Sequence, residues 1–144
     1  MILLDTNIVS ETLRRAPDES VVAWLDAQPP NSLYLCTPVL AELLFGVEKL
    51  SAGARKDRLR VAVERLENDL YRDRILAFDL AAAKEYARIA AARAGGGRTI
   101  GQMDVLIAAI AVSYRTGLAT RNIRHFSDLG IDVINPFEAA GLGN

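Results

Sequence analysis

Ile2-Leu-Leu-Asp-Thr-Asn7 is the stretch that decides the fold of this 144-residue chain. Three apolar residues in succession predict a short strand that is buried on both faces, as in parallel sheets covered by helices. Asp5 follows this strand directly, so its carboxylate belongs at the carboxyl end of the strand. Open α/β sheets bind their ligands in the crevice outside such ends. The sequence therefore predicts that Asp5 lies at a functional edge.

Short β-type runs and longer helical patterns alternate along the rest of the chain, which predicts an α/β fold with a mainly parallel sheet. Further strands are predicted at 33–36, 75–78, 118–120 and 133–134, and helices at 8–14, 20–28, 37–50, 54–70, 80–94 and 102–116. Thr37 is predicted to cap the third helix, with Pro38 in its first turn, and Gly117 to stop the sixth. Since no internal repeat or linker interrupts this pattern, residues 1–144 are interpreted as one domain.

Composition narrows the class of protein and its compartment. A net charge of −1 excludes a broad basic field, so a negative substrate must be held by local arginines or by a metal ion. The single cysteine, Cys36, excludes an intrachain disulfide and favours a reducing cytoplasm. The longest apolar stretch, 105–112, is too short to cross a bilayer, and no secretory signal is recognised. We expect a soluble cytoplasmic protein without a membrane partner.

Polar residues that are far apart in sequence are predicted to meet at the carboxyl edge of the sheet. Glu42 lies in the opening turns of the helix that leaves the second strand, and Asp104 in the first turn of the helix that leads into the fourth. Asn122 follows the fourth strand. Apolar neighbours surround Asp104, so its charge requires a partner, and no lysine is close in sequence. A divalent cation is the natural candidate, and magnesium prefers such oxygen ligands.

Four motifs carry a family resemblance: Leu3-Leu-Asp-Thr-Asn7, Val39-Leu-Ala-Glu-Leu-Leu-Phe-Gly46, Ile100-Gly-Gln-Met-Asp-Val-Leu-Ile-Ala-Ala109 and Ala119-Thr-Arg-Asn-Ile-Arg-His-Phe126. In this order they resemble a PIN-domain ribonuclease toxin of the VapC type, in its FitB-like branch. The resemblance implies a three-layer α/β/α sandwich whose central, mainly parallel sheet has four to five strands. It also implies a magnesium-dependent endoribonuclease that can use manganese instead. Its implied partners are RNA, a cognate VapB-like antitoxin, a second copy of the chain and, only through the antitoxin, DNA.

The resemblance also assigns roles by position in these motifs. Asp5, Glu42 and Asp104 match the catalytic acidic residues of the family, with Asp5 and Asp104 as direct metal ligands. Asn122 occupies a fourth catalytic position that is often aspartate. A neutral amide can ligate through its oxygen but adds no charge, which argues against a firmly held second cation.

Neighbouring residues in the same motifs receive supporting roles. Thr6, Asn7 and Thr120 are expected to orient the carboxylates or a water molecule. Arg121 and Arg124 flank the site, where they either hold RNA phosphates or are solvated or paired with acidic residues of an antitoxin.

Two other functions fit the sequence. One is phosphohydrolase chemistry through an aspartyl-phosphate at Asp5, although Asn7 replaces the second aspartate of the usual Asp-x-Asp start. The other is a degenerate PIN domain that only binds a partner, or DNA through one, motivated by Asn122. His125 can contact phosphate or carry a proton, but it is interpreted as a polar surface residue. The basic run 55–60 is interpreted as a solvated helix face rather than an RNA grip.

Overall fold

A computed structural model describes residues 1–97 and 101–139 of the chain. Its centre is a five-stranded sheet in the order β3-β2-β1-β4-β5, in which all neighbouring strands are parallel. The strands are β1 (Ile2–Leu4), β2 (Leu33–Cys36), β3 (Ile75–Leu76), β4 (Gly117–Ala119) and β5 (Val133–Ile134). The first strand is the middle one, which explains the burial of Leu3 and Leu4. The predicted α/β class with a parallel sheet is confirmed.

Six α-helices accompany the sheet within these residues: α1 (Thr6–Thr12), α2 (Glu19–Ala27), α3 (Thr37–Glu48), α4 (Ala54–Arg65), α5 (Leu80–Gly95) and α6 (Gln102–Tyr114). The chain runs outward from β1 through β2 to β3 and then crosses back to β4 and β5. Because such crossovers are right-handed, this reversal places the helices before and after it on opposite faces of the sheet. The arrangement is the predicted three-layer sandwich. Across the described ranges, none of the helices has the length and apolar character needed to span a membrane.

The reversal of direction falls between β1 and β4. From β1 the chain continues toward β2 on one side, whereas from β4 it continues toward β5 on the other. Loops that part in this way open a crevice at the carboxyl ends of the two strands. Asp5 N donates to the Ala119 carbonyl at 2.9 Å, which joins the two strand ends that border this crevice.

The sixth helix anchors one side of the crevice to the core. Its residues from Ile107 to Ala111 are completely buried, and α5 packs along it. Each fully buried large aliphatic side chain, such as that of Ile107, contributes about 1.5–3 kcal/mol through the hydrophobic effect. The first turn of α6, which carries Asp104, is therefore held on a firmly packed element.

Two boundary predictions are wrong for identifiable reasons. Cys36 occupies the N-cap position of α3, and the hydroxyl of Thr37 instead accepts a hydrogen bond from Phe78 N at 3.2 Å. Gly117 does not stop α6, because Arg115 takes the left-handed conformation with φ at 55°. Gly117 already pairs with Ile2 in the sheet.

Candidate active site

Asp5 lies at the centre of the crevice, where it follows β1 and caps α1. Its Oδ1 accepts a hydrogen bond from Thr6 N at 2.7 Å. Its Oδ2 accepts one from Thr120 Oγ1 at 2.6 Å and another from Asn7 Nδ2 at 3.2 Å. Only 3% of the residue is exposed. The carboxylate is therefore fixed at both oxygens by side chains and backbone from two strand ends.

The surroundings of Asp5 disfavour the charged form of its carboxylate. Burial raises the pKa of Asp5 above its ordinary value, and the hydrogen bonds from Thr120 and Thr6 oppose this rise. The negative charges of Asp104 and Glu42 raise the pKa of Asp5 further. The carboxylates of Asp104 and Glu42 thus both repel the charge of Asp5. A bound cation would relieve this repulsion.

Glu42 reaches the site from α3 in an exposed position at its rim. Thr6 Oγ1 donates a hydrogen bond to Glu42 Oε2 at 2.7 Å. Since the backbone N–H of Thr6 also donates to Asp5, this threonine links the two carboxylates. The structure therefore brings Glu42 to the cluster through Thr6.

Asp104 has a partner within the protein. Its Oδ2 lies 2.6 Å from Nδ1 of His125, and an ionised carboxylate only accepts hydrogen bonds, so the ring nitrogen donates. The sequence indicates a cation as the counter-charge for Asp104, whereas the structure supplies the imidazole of His125. The interpretation of His125 as only a surface residue is wrong, because its half-exposed side chain contacts the acidic cluster.

Asn122 approaches the site through its backbone. Its N–H donates to Thr120 Oγ1 at 3.0 Å, which orients the hydroxyl that donates to Asp5. The residue is exposed, and no hydrogen bond of its side chain is seen within residues 1–97 and 101–139. The structure therefore joins the backbone of Asn122, the expected fourth position, to the cluster, but shows no hydrogen bond from its side chain within the described residues.

The two flanking arginines occupy different settings. Arg121 N donates to Asn7 Oδ1 at 3.2 Å, and its guanidinium lies over the ring of Phe137, 4.5 Å from the centroid. Arg124 is exposed in the 3₁₀ turn Ile123–His125. Arg121 is therefore tied to the crevice through its backbone, whereas Arg124 is placed only by its position in the turn after β4.

A groove of about 1220 Å³ leads away from Thr6 and Glu42 between α1, α3 and α4. Its apolar lining includes Leu43, which packs in the core. Four arginines line it, namely Arg14, Arg15, Arg55 and Arg58, of which Arg14 is paired with Glu11 at 3.0 Å. Two of these, Arg55 and Arg58, come from the basic run 55–60 and are exposed, so the expected solvated helix face borders the groove.

The carboxylates at the crevice suit an ion that keeps several of its waters, such as magnesium, better than an ion that needs a closed cage of protein ligands. Within the described ranges, no group of three or more histidine, cysteine, aspartate or glutamate side chains forms a ready-made metal site. Magnesium does not require one, because it keeps several waters and is usually held by one or two carboxylates and substrate phosphates. Asp5 and Asp104 offer such a pair of carboxylates, which act on each other electrostatically across the crevice.

Sequence reasoning missed Arg93 in the last turn of α5. Its Nη2 donates to the carbonyl oxygen of His125 and lies 3.3 Å from Asp128 Oδ1, while the residue is only 5% exposed. The sequence contains a signal for this burial. Arg93 follows Ile89 by four residues and continues the buried stripe of an otherwise alanine-rich helix.

Comparison with known proteins gives a consistent result. The model of the PIN domain family matches residues 2–131. The VapC ribonuclease Y4jK of Sinorhizobium fredii is 41% identical over 97% of this chain and 100% of its own length. The toxin FitB of Neisseria gonorrhoeae is 40% identical over 95% of this chain and 99% of its own. A structure of FitAB bound to an IR36 DNA fragment superimposes with a TM-score of 0.87 at 39% identity, covering 95% of this chain and 96% of the other.

Proposed function

Because the chain belongs to the PIN domain family, we propose that it is the ribonuclease toxin of a toxin–antitoxin pair, with Asp5, Glu42 and Asp104 as its catalytic acidic residues. One observation carries this assignment of the site. A buried aspartate at the switch point of the sheet, held by Thr120 and Thr6, has a pKa that is raised first by burial and further by the carboxylates of Asp104 and Glu42. A purely structural role, such as helix capping, does not require this accumulation of like charge.

Ribonucleases of this family generally use a divalent metal ion. We assign its ligands to Asp5 and Asp104 and name Mg²⁺ as the ion, with Mn²⁺ as a substitute. When bound, the ion would polarise the scissile phosphate and lower the pKa of a water molecule. Asn122 adds no charge, so the proposal requires one firmly held cation.

The protein's own groups hold this site in order. Thr120 and Asn7 fix one oxygen of Asp5, and Thr6 connects its other oxygen to Glu42. Asn122 supports Thr120 through its backbone N–H. We assign to Asn122 this positioning role, with its amide oxygen available to a water or substrate at the rim.

We assign the path of the RNA to the two surfaces where arginines lie beside the crevice. Arg121 and Arg124 follow β4 on one side of the crevice, and the arginine-lined groove starts at Thr6 and Glu42 on the other. Phosphate contacts of this kind supply affinity to a chain whose net charge is only −1. A VapB-like antitoxin that occupied the same groove would block the path of the RNA.

The remaining assignments concern partners and compartment. The FitAB complex binds an IR36 DNA fragment, and we propose that this chain likewise meets DNA only through its antitoxin. We further propose a homodimer and a single domain over residues 1–144, since one sheet contains strands from Ile2 to Ile134. An RNA substrate and a free, buried Cys36 favour the cytoplasm.

The decisive experiment measures cleavage of structured RNA by the whole chain with Mg²⁺, with Mn²⁺ and with EDTA. Asp5→Asn and Asp104→Asn are compared with Asp26→Asn, a matched change at an exposed position of α2. We expect cleavage to require the divalent ion and to be lost in the first two variants only. Equal activity in the wild type, both site variants and EDTA would refute the proposal.

Two further readouts separate the alternative functions. Calorimetry that finds no divalent-ion binding, together with intact antitoxin binding, would support a degenerate partner-binding domain. Phosphate trapped on Asp5 during turnover of a phosphomonoester would support the aspartyl-phosphate mechanism. We expect ion binding and no trapped phosphate.

A further inference from the structure

Arg93 is a charged side chain in an unusual setting. It lies in the last turn of α5 and is 5% exposed, and its Nη2 serves both the His125 carbonyl and Asp128. Its Nε and Nη1 are buried, and neither has a hydrogen-bond partner in the described part of the chain. A buried guanidinium with two unused donors is costly. Stability alone therefore gives a poor account of this residue.

The contact of Arg93 lies one step away from the acidic cluster. The backbone oxygen of His125 accepts from Arg93, and the ring of the same residue donates to Asp104. The next residue, Phe126, is completely buried and fixes the turn on its other side. The backbone of His125 is thus held at its carbonyl and through its neighbour, in the position from which its ring reaches Asp104.

We propose that Arg93 is a positioning residue of the nuclease site. Arg93 holds the His125 backbone so that the His125 ring orients the carboxylate of Asp104. The inference rests on the proposed role of Asp104 as a metal ligand. Residues that donate to a metal-binding carboxylate orient it, and their loss typically lowers metal affinity or activity by about 10- to 100-fold. Arg93 acts one residue further out, through His125.

The chain offers an unusually clear reporter, because His125 is its single histidine. A ¹⁵N–¹H correlation spectrum of the imidazole at fixed neutral pH therefore contains the signals of one ring only. Asp104→Ala marks the signal of a ring that has lost its acceptor, because alanine has no side-chain oxygen. We expect Arg93→Met to shift or broaden the ring signals relative to wild type, and Arg88→Met to leave them unchanged. Arg88 is the matched control, since it is exposed on the same helix and paired with Glu85 at 2.7 Å.

The kinetic readout uses saturating divalent ion. We expect Arg93→Met to lower kcat by about tenfold, at the lower end of the range for outer-shell residues, with KM for RNA nearly unchanged. If Arg93 acts through His125, the double variant Arg93→Met with His125→Ala loses no more kcat than His125→Ala alone. His125→Asn, which retains a side-chain N–H donor, is expected to recover part of the loss seen in His125→Ala.

The outcomes separate this inference from the proposed function. Unchanged ring signals in Arg93→Met, or kcat losses that simply multiply in the double variant, would overturn the positioning role. If Arg93→Met does not fold, Arg93→Lys, which keeps the charge but not the planar fork, is expected to shift the same ring signals. Unchanged ring signals in that variant would overturn the role equally. A chain without ribonuclease activity would refute the proposed function, while the imidazole spectra would still decide whether Arg93 positions His125.

Discussion

Thr120 and Thr116 allow one substitution to be compared in two buried settings. Thr120 is fully buried, and its hydroxyl donates to the Asp5 carboxylate at 2.6 Å while accepting from Asn122 N. Thr116 is 2% exposed, and its hydroxyl has no hydrogen-bond partner within residues 1–97 and 101–139. Valine has nearly the shape of threonine without the hydroxyl. The pair of variants therefore isolates the hydrogen bonds from the packing.

The two variants are expected to change the free energy of unfolding by different amounts and in different directions. A hydrogen bond to a charged group contributes about 1.5–3 kcal/mol, so Thr120→Val should lower the free energy of unfolding by that amount. For a chain of this length each kcal/mol lowers Tm by about 2–4 °C, which predicts a fall of about 3–12 °C. Thr116→Val removes an unpaired buried hydroxyl, so its free energy of unfolding should be unchanged or raised.

The assay is thermal and urea unfolding of both variants and the wild type at neutral pH in EDTA, so that metal binding does not contribute. Coincident circular dichroism and fluorescence transitions test whether unfolding is two-state. Equal destabilisation in the two variants would refute the reasoning, because it would mean that the hydrogen bond to Asp5 contributes nothing beyond packing.

Three further predictions concern individual side chains. Burial raises the folded-state pKa of Asp5 above 3.8, so in EDTA its contribution to stability falls as pH rises from 3.8 through the folded pKa. The urea midpoint of Asp5→Asn should lack this decline, and identical pH profiles of variant and wild type would contradict the prediction. Thr6→Val removes the exposed hydrogen bond to Glu42, so RNA cleavage should fall while Tm changes little; unchanged cleavage would exclude Thr6 as the link. Burial raises the pKa of Cys36 to about 12, so iodoacetamide at pH about 8 should label the thiol only after unfolding. Mass spectrometry measures the labelling, and rapid labelling of the folded chain would disprove the burial of Cys36.

Local sequence patterns were sufficient for several short apolar strands, including the central β1 and the edge strand β5. The bounds of β1, β2 and β5 agree with the predicted 2–4, 33–36 and 133–134. Chain connectivity then brought Asp5, Glu42 and Asp104 to one edge, because parallel strands point their carboxyl ends the same way. These inferences needed only periodicity and the direction of the chain.

Contacts that depend on tertiary packing were not predictable in this way. The hydroxyl of Thr37 caps nothing in its own helix, because Phe78 N lies close enough to use it. The pairing of His125 with Asp104 spans 21 residues and depends on how α6 and the turn after β4 pack together. Arg93 was overlooked because arginine in an alanine-rich helix is ordinarily solvent-exposed.

The hydrogen bond between Thr120 and Asp5 also has a consequence for biosynthesis. It joins residues 115 positions apart, and β1 reaches its neighbour β4 only when residues 117–119 are available. Chains are synthesised from the N-terminus, so the first carboxylate leaves the ribosome long before its partners. A nascent chain therefore lacks an assembled site during most of translation, and the RNA that surrounds its own synthesis meets the nuclease only near completion of the chain.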